Sequence, residues 1–492
     1  MNPVHIIEQP YKTVVRSGPH EDPSIQDKEI NGKNDTHIVT EPLGVESNVL
    51  EKAPKDTIPK NPQPQPFSHH FLDPELKHIR KAYLIPVGVT TIIVMCMVWL
   101  FCSIHWAALY KMNDHTPRIH ALVVNRDNGI IGTTITKALL DSNHGPVPHS
   151  TWFEGNVTDF PTQDSIVKAV EPNHDYWLAV EIRENLTQEL EQARMTGDSS
   201  WDPHSALTMI FATGRNVAAT SPMIVTPAQR LIESVEKELS ANLTSQFLAE
   251  NAGNAEVIQG MITAPQLLSN PLDMRMMDVR PWIANTALAP TFDGMIYLII
   301  LPFQVVMAEY DGRRALHKYL HLKGQIFLRI GAALIWSIFI SLMITLINIP
   351  FELPFDGAFS YGGGFMIYWL SAYCGIVVFS LALESVLTLM TPTFIGVFLL
   401  LLIISNLSIA NFPVELEPSF YKYGYAMPFY NLRQIYLSVM LDVGDSTLIL
   451  KHIGIIWAWV ALILLTFPFV IWYDYRKQFK AYHKSILFGG MD

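Results

Sequence analysis

Charge is scarce in this sequence. Asp, Glu, Lys and Arg make up 16% of its 492 residues, against roughly 25% in an average soluble protein, and mean hydropathy is +0.22. A large soluble enzyme is disfavoured on that ground alone. The deficit is also uneven: residues 289–492 hold 12 basic and 12 acidic residues, clumped between long charge-free runs. Such runs are the mark of a chain that crosses a membrane several times. Positive charge is short as well. The net charge is −11, and residues 106–288 carry 12 Lys and Arg against 21 Asp and Glu, so a nucleic-acid partner is disfavoured.

Cysteine is nearly absent. Cys96, Cys102 and Cys374 all lie in apolar runs, where buried thiols are expected, and residues 106–288 contain none. This excludes a disulfide framework and C-x-x-C zinc sites from that stretch. The phosphate-cradling G-x-x-x-x-G-K-[ST], H-E-x-x-H, G-x-S-x-G and G-x-G-x-x-G patterns are missing too. Gly362-Gly363-Gly364 serves as a flexible or closely packed start to an apolar span. The histidines are scattered. His69-His70 and the i, i+4 pair His317/His321 suggest metal ligands, but the second pair sits among Arg313, Arg314, Lys318 and Lys323, which repel a cation. No enzyme activity, cofactor or metal site is expected.

What is present is a sequence of membrane segments around one soluble stretch. Residues 1–81 read as a disordered cytosolic tail: 10 of the 32 prolines fall within 1–70, and 59–66 is a polyproline-type linker. Residues 82–110 lack any Asp, Glu, Lys or Arg, and the apolar centre Leu84–Ile104 is long enough for one ~30 Å crossing. Lys77, Arg80 and Lys81 precede this first helix (82–105), so its N-terminal side is cytosolic by the positive-inside rule. Residues 106–288 then read as an extracellular or lumenal α/β domain. Strands are expected at Ile119–Val124 and Trp177–Ile182, and helices at Ile130–Leu140 and Ala228–Leu248. In the last of these, Leu231, Val235, Leu239, Leu243 and Phe247 repeat every four residues. Sequons at Asn156, Asn185 and Asn242 fall on this lumenal side and are expected to carry glycans; those at Asn34 and Asn406 are not.

Five further spans are read at about 289–308, 330–350, 365–390, 393–411 and 452–473, followed by a basic cytosolic tail at 474–492. The break at Thr391-Pro392-Thr393 divides a run too long for one crossing. With six spans, the basic loop 309–329 and the tail both face the cytosol, and the acidic loop 348–364 faces outward. The fold class is therefore a polytopic α-helical membrane protein with six transmembrane helices and a large α/β ectodomain between the first two. Glu384 is the acid deepest in an apolar run, and Arg329 matches it in depth, so the two are paired as an intramembrane ion pair; a place on a substrate or proton path is the other reading. The aromatic stretch ahead of the last span includes Tyr421, Tyr425 and Tyr430, a composition that suits a re-entrant or interfacial segment or a plain aromatic belt.

The matching stretches are Trp106–Lys111, Arg280-Pro-Trp282 through Tyr297–Phe303, and Tyr421–Tyr436. With this order of tail, span, domain and five spans over about residues 75–480, the chain resembles the fungal nitrosoguanidine-resistance membrane protein family. More distantly it resembles phage-infection-protein and type-2 ABC exporter permeases. The resemblance implies a multi-pass plasma-membrane protein that passes through the endoplasmic reticulum and is linked to drug resistance and phospholipid asymmetry. It supplies no catalytic residues. The expected partners are membrane lipids, amphipathic small molecules and further copies of the chain, and the permease likeness adds a separate ATPase subunit docked on 309–329. Two functions follow: transport of lipids or amphipathic compounds, or help in it; and a non-transporting regulator or receptor acting through the ectodomain and tail.

Overall fold

A computed structural model describes residues 69–171, 175–316, 319–390, 392–444 and 446–488. The 1–68 part of the tail, with Asn34 and the 59–66 linker, lies outside the described residues, as do His317, Lys318 and Thr391. The chain divides into two units, Met1–His78 and Ile79–Asp492; all that follows concerns the second.

Its first helix, α1, continues from Lys77–Met97 through a widened turn at Val98–Cys102 to Ser103–Leu109. An uninterrupted apolar run makes the helix, and its most apolar stretch is buried by nothing else in the protein. Only the far end docks: Ile104 and Ala108 pack on Ile409 and Tyr421, and the Tyr421 hydroxyl donates to the Ile104 carbonyl. Of the three thiols expected to be buried, Cys374 is, whereas Cys96 is exposed and Cys102 half-buried on α1. An apolar setting in the sequence does not distinguish a core from a lipid-facing surface.

Residues His120 to Asp278 build a five-stranded sheet: β1 (His120–Asn125), β2 (Thr151–Gly155), β3 (Tyr176–Ile182), β4 (Leu207–Phe211) and β5 (Met274–Asp278). The order is β2-β1-β3-β4-β5, with β3 and β4 antiparallel and the other neighbours parallel. β1 and β3 are apolar nearly throughout because both faces are covered. On one face Ala121, Val123 and Val180 meet Ile131, Ile135 and Leu139 of α2 (Ile130–Asp141), and Ile232 and Leu239 of the long helix Thr226–Glu250. On the other, Leu122, Val124 and Ala179 meet Ile166 and Val170 of α3 (Gln163–Val170).

The long helix, α4, buries Ile232, Glu236, Leu239, Ser240 and Phe247, while Leu231, Val235 and Leu243 stay half-buried. Its four-residue repeat is thus displaced toward one edge of the buried face. The remaining helices are α5 (Tyr297–Leu316), α6 (Leu322–Leu346), α7 (Tyr361–Leu389), α8 (Ile395–Leu407), α9 (Pro428–Leu441) and α10 (Ser446–Phe488). Five helical runs, counting α1, are long and apolar enough to cross a membrane among the described residues. α8 has 13 residues, a rise of ~20 Å. Most of the expected basic loop 309–329 is helix instead, since α5 ends at Leu316 and α6 begins at Leu322.

The hub is α7, packed against α5, α6, α9 and α10. Two glycines permit this density. A Cβ at Gly364 would collide with the Phe355 carbonyl, and one at Gly375 would stand 2.7 Å from a Leu432 methyl, so the α7 backbone can lie directly against its neighbours. Short α9 is the most enclosed element, with 12 of its 14 residues buried. The aromatic stretch around it is therefore no uniform surface belt. Phe429 and Tyr436 lie in the core, Tyr421 is buried at the end of α1, and Tyr425 is 41% exposed.

Candidate functional site

Between α5, α6, α7 and α9 lies a cavity of about 790 Å³, within the ~300–1,000 Å³ range of small-molecule sites. Its walls are apolar because each helix turns a hydrophobic face inward: Leu298, Leu301 and Val305 from α5, and Ile340, Met343 and Ile344 from α6. The side chains along its margin, including Leu301, Phe339 and Met343, are exposed on the protein surface, so the cavity is a lateral groove. Polar groups gather at its inner wall. Tyr368 and Tyr436 stack with ring centroids 4.1 Å apart, the Asn348 side chain bonds the Tyr368 hydroxyl, and the Tyr436 hydroxyl is buried without a partner.

A second feature holds the opposite end of the same helices. Glu384 of α7 is 0% exposed. Arg329 Nε of α6 donates to Glu384 Oε1 at 2.6 Å, and Arg313 of α5 donates to the same oxygen. Arg329 also donates to Thr388, approaches Asp474 of α10 at 3.8 Å, and lies over the Phe467 ring. Four helices are thus joined through one carboxylate. Glu384 Oε2 and Glu309 Oε2 have no partner, and Glu309 is one turn from Arg313. A cavity of about 420 Å³, lined by Arg313, Gln325, Arg329, Thr388 and Asp474, opens beside the cluster.

Sequence reasoning placed Arg313 in a solvated loop and missed it as the third member. The available signal was its position as the first base after an apolar run, at the same depth as Arg329. The other residues singled out are dispersed. Tyr421 binds α1, the Tyr425 hydroxyl donates to Glu415 Oε1 at 3.2 Å, and Tyr430 packs edge-on against Tyr425 and His452. Asn156, Asn185 and Asn242 are exposed on the α/β domain. Asn406 is buried, its amide oxygen accepting from the Phe429 backbone N–H at 3.3 Å.

Glu417, which follows Pro413 in the turn before α9, was overlooked. It is fully buried with both carboxylate oxygens unpartnered, and burial, helped by neighbouring Glu415, pushes its pKa up to about 9. Glu236 on α4 behaves likewise: burial, then the charges of Asp273 and Glu233, raise it to about 8.

Apolar helices around a lateral groove, an ion cluster buried among them and an α/β domain between the first two together define a multi-pass helical membrane protein. Residues 90–465 match the family described as "Protein of unknown function (DUF3533)", and the chain belongs to that family. It is 25% identical over 491 residues to the "Uncharacterized endoplasmic reticulum membrane protein YJR015W" of Saccharomyces cerevisiae, covering 92% of this chain and 94% of that one. No solved structure matches.

Proposed function

We propose that this protein binds amphipathic membrane molecules, lipids or lipid-like compounds, in the groove between α5, α6, α7 and α9, and moves them or helps to move them across the bilayer. The observation that carries the reading is the groove itself, an apolar cavity open to the side and ending on hydroxyl and amide groups. An acyl chain gains little from a channel with polar walls, and a soluble metabolite gains little from apolar ones; an amphiphile fits both surfaces. Altered drug resistance and lipid asymmetry are the consequences expected of such redistribution. The residence of the yeast relative in the endoplasmic reticulum membrane makes that membrane, beside the plasma membrane, a place to look for it.

The reading includes six crossings. Support comes from the short helix α8. Met390 and Pro392, before it, line the cavity beside Arg329 and Asp474, whereas the Asn411 carbonyl, after it, accepts from Asn216 of the α/β domain at 3.0 Å. The chain between them therefore runs from one end of the bundle to the other. In this layout the α/β domain is lumenal or extracellular and both termini are cytosolic.

The test is reconstitution of the full chain in liposomes with a fluorescent phospholipid, following its exchange between leaflets with and without ATP or a proton gradient. Exchange above protein-free liposomes, lost on filling the groove with Val305→Trp, is expected under at least one condition. No exchange under any condition would refute transport.

A further inference from the structure

Arg433 has no assigned role, yet it is the most conspicuous cation in the protein. It is 4% exposed, its Nε has no hydrogen-bond partner, and it takes part in none of the ion pairs among the described residues. A buried guanidinium without an anion is costly. Its surroundings supply space instead. Arg433 lines two cavities, of about 230 and 220 Å³.

The first cavity also takes in Arg215, Lys451, His452, Tyr430 and Glu415. Arg215 is committed to the carbonyls of Val170 and Tyr176, at 3.1 and 2.7 Å, and lies 3.8 Å over the Trp177 ring. The Glu415 carboxylate accepts from Tyr425. Three cations therefore face one acid. The second cavity holds Asp293, which is exposed, together with Trp282 and Asn411. There the Trp282 Nε1 donor and the Asn411 Oδ1 acceptor are buried and unpartnered. Unused donors around a net positive site call for an oxyanion, and the single unused acceptor calls for a hydroxyl or a water beside it.

Position says what carries the anion. Arg433 and Tyr436 are one turn apart on α9, so they lie on the same side of the helix about 5–6 Å apart. The first faces these polar cavities and the second lines the apolar groove. The short helix Leu288–Thr291 separates the two regions: Ala289 and Pro290 line the groove, while Leu288 and Thr291 line the polar cavity.

We infer that Arg433, with Lys451 and Trp282, binds the phosphate headgroup of an anionic phospholipid whose acyl chains occupy the adjacent groove. This rests on the reading of the groove as an amphiphile site and adds the class of amphiphile.

The experiment uses the full chain in nanodiscs holding phosphatidylcholine and phosphatidic acid in equal amounts, with retained lipid read by native mass spectrometry. Wild type should retain phosphatidic acid preferentially. Arg433→Gln should lower that preference at least about tenfold, Arg433→Lys should restore part of it, and exposed Lys451→Gln should lower it less. The thermal midpoint of Arg433→Gln should not fall, since an unpaired buried charge has been removed. Loss of stability with unchanged lipid preference would make Arg433 structural and overturn the inference. So would full displacement of phosphatidic acid by inorganic phosphate, which would assign the site to a free anion. Val305→Trp separates the two proposals. If it leaves both lipids bound while Arg433→Gln removes only phosphatidic acid, the groove reading fails and the headgroup site stands.

Discussion

Arg329 Nε donates to Glu384 Oε1 at 2.6 Å and shares that oxygen with Arg313. The carboxylate is therefore the common anchor of two cations on two helices. Removing it leaves both without their main partner, and Asp474 at 3.8 Å from Arg329 offers only partial compensation. Glu384→Ala is expected to destabilise the protein by ~3 kcal/mol or more, read as a lower midpoint of thermal aggregation in detergent. Glu384→Gln should recover part of the loss through its amide oxygen. A midpoint unchanged in both variants would mean that the cluster contributes nothing to stability.

The buried carboxyls of Glu417 and Glu236 give stability a defined pH dependence. Both have pKa values raised above their ordinary range, to about 9 and about 8. The native state thus holds protons that the unfolded chain releases near pH ~4.5. Stability from these groups is complete below that pH and is lost as pH rises through the native values, by up to ~1.4 kcal/mol per pH unit for each group. Glu417→Gln and Glu236→Gln should each flatten thermal midpoints measured across this window and raise them near neutrality. A midpoint that climbs with pH in the wild type would contradict the sign.

Tyr436 carries a buried hydroxyl with no partner, which costs about 1–3 kcal/mol of lost hydration. Tyr436→Phe is expected to leave the ligand-free protein as stable as wild type or more so, while weakening retention of lipid. Reduced stability with undiminished lipid retention would give the hydroxyl a structural role instead.

Glycosylation tests the placement of the α/β domain. Asn156, Asn185 and Asn242 are exposed, so each should carry a glycan in cells, and endoglycosidase should shift the mobility of wild type more than of any single Asn→Gln variant. A shift traced to Asn34 would reverse the topology.

Much of this architecture was legible because apolar patterning is local. The strands at Ile119–Val124 and Trp177–Ile182, the helices near 130–140 and 228–248 and the break before Pro392 all follow from adjacent residues. The Arg329–Glu384 approach was legible from matched depth. Other features depend on assembly. β2, β4 and β5 have five residues each and show no clear period. The stretch around α9 is rich in Phe and Tyr, which suit a membrane interface and a buried core equally, so its enclosure could not be read from composition. The groove takes residues from α5, α6, α7 and α9 and the segments before and between them, and Arg433 looked like an ordinary loop cation until α9 placed it beside two cavities.

Photo-crosslinking of the full chain with a diacyl phospholipid bearing a photoreactive acyl chain tests most directly whether the groove holds an amphiphile. Peptide mapping should find adducts concentrated at groove residues such as Leu301, Val305, Met343 and Ile344, and Val305→Trp should remove them while leaving background labelling elsewhere. Adducts spread evenly over exposed faces such as α1, insensitive to Val305→Trp, would show that lipid only surrounds the protein and would contradict the assigned site.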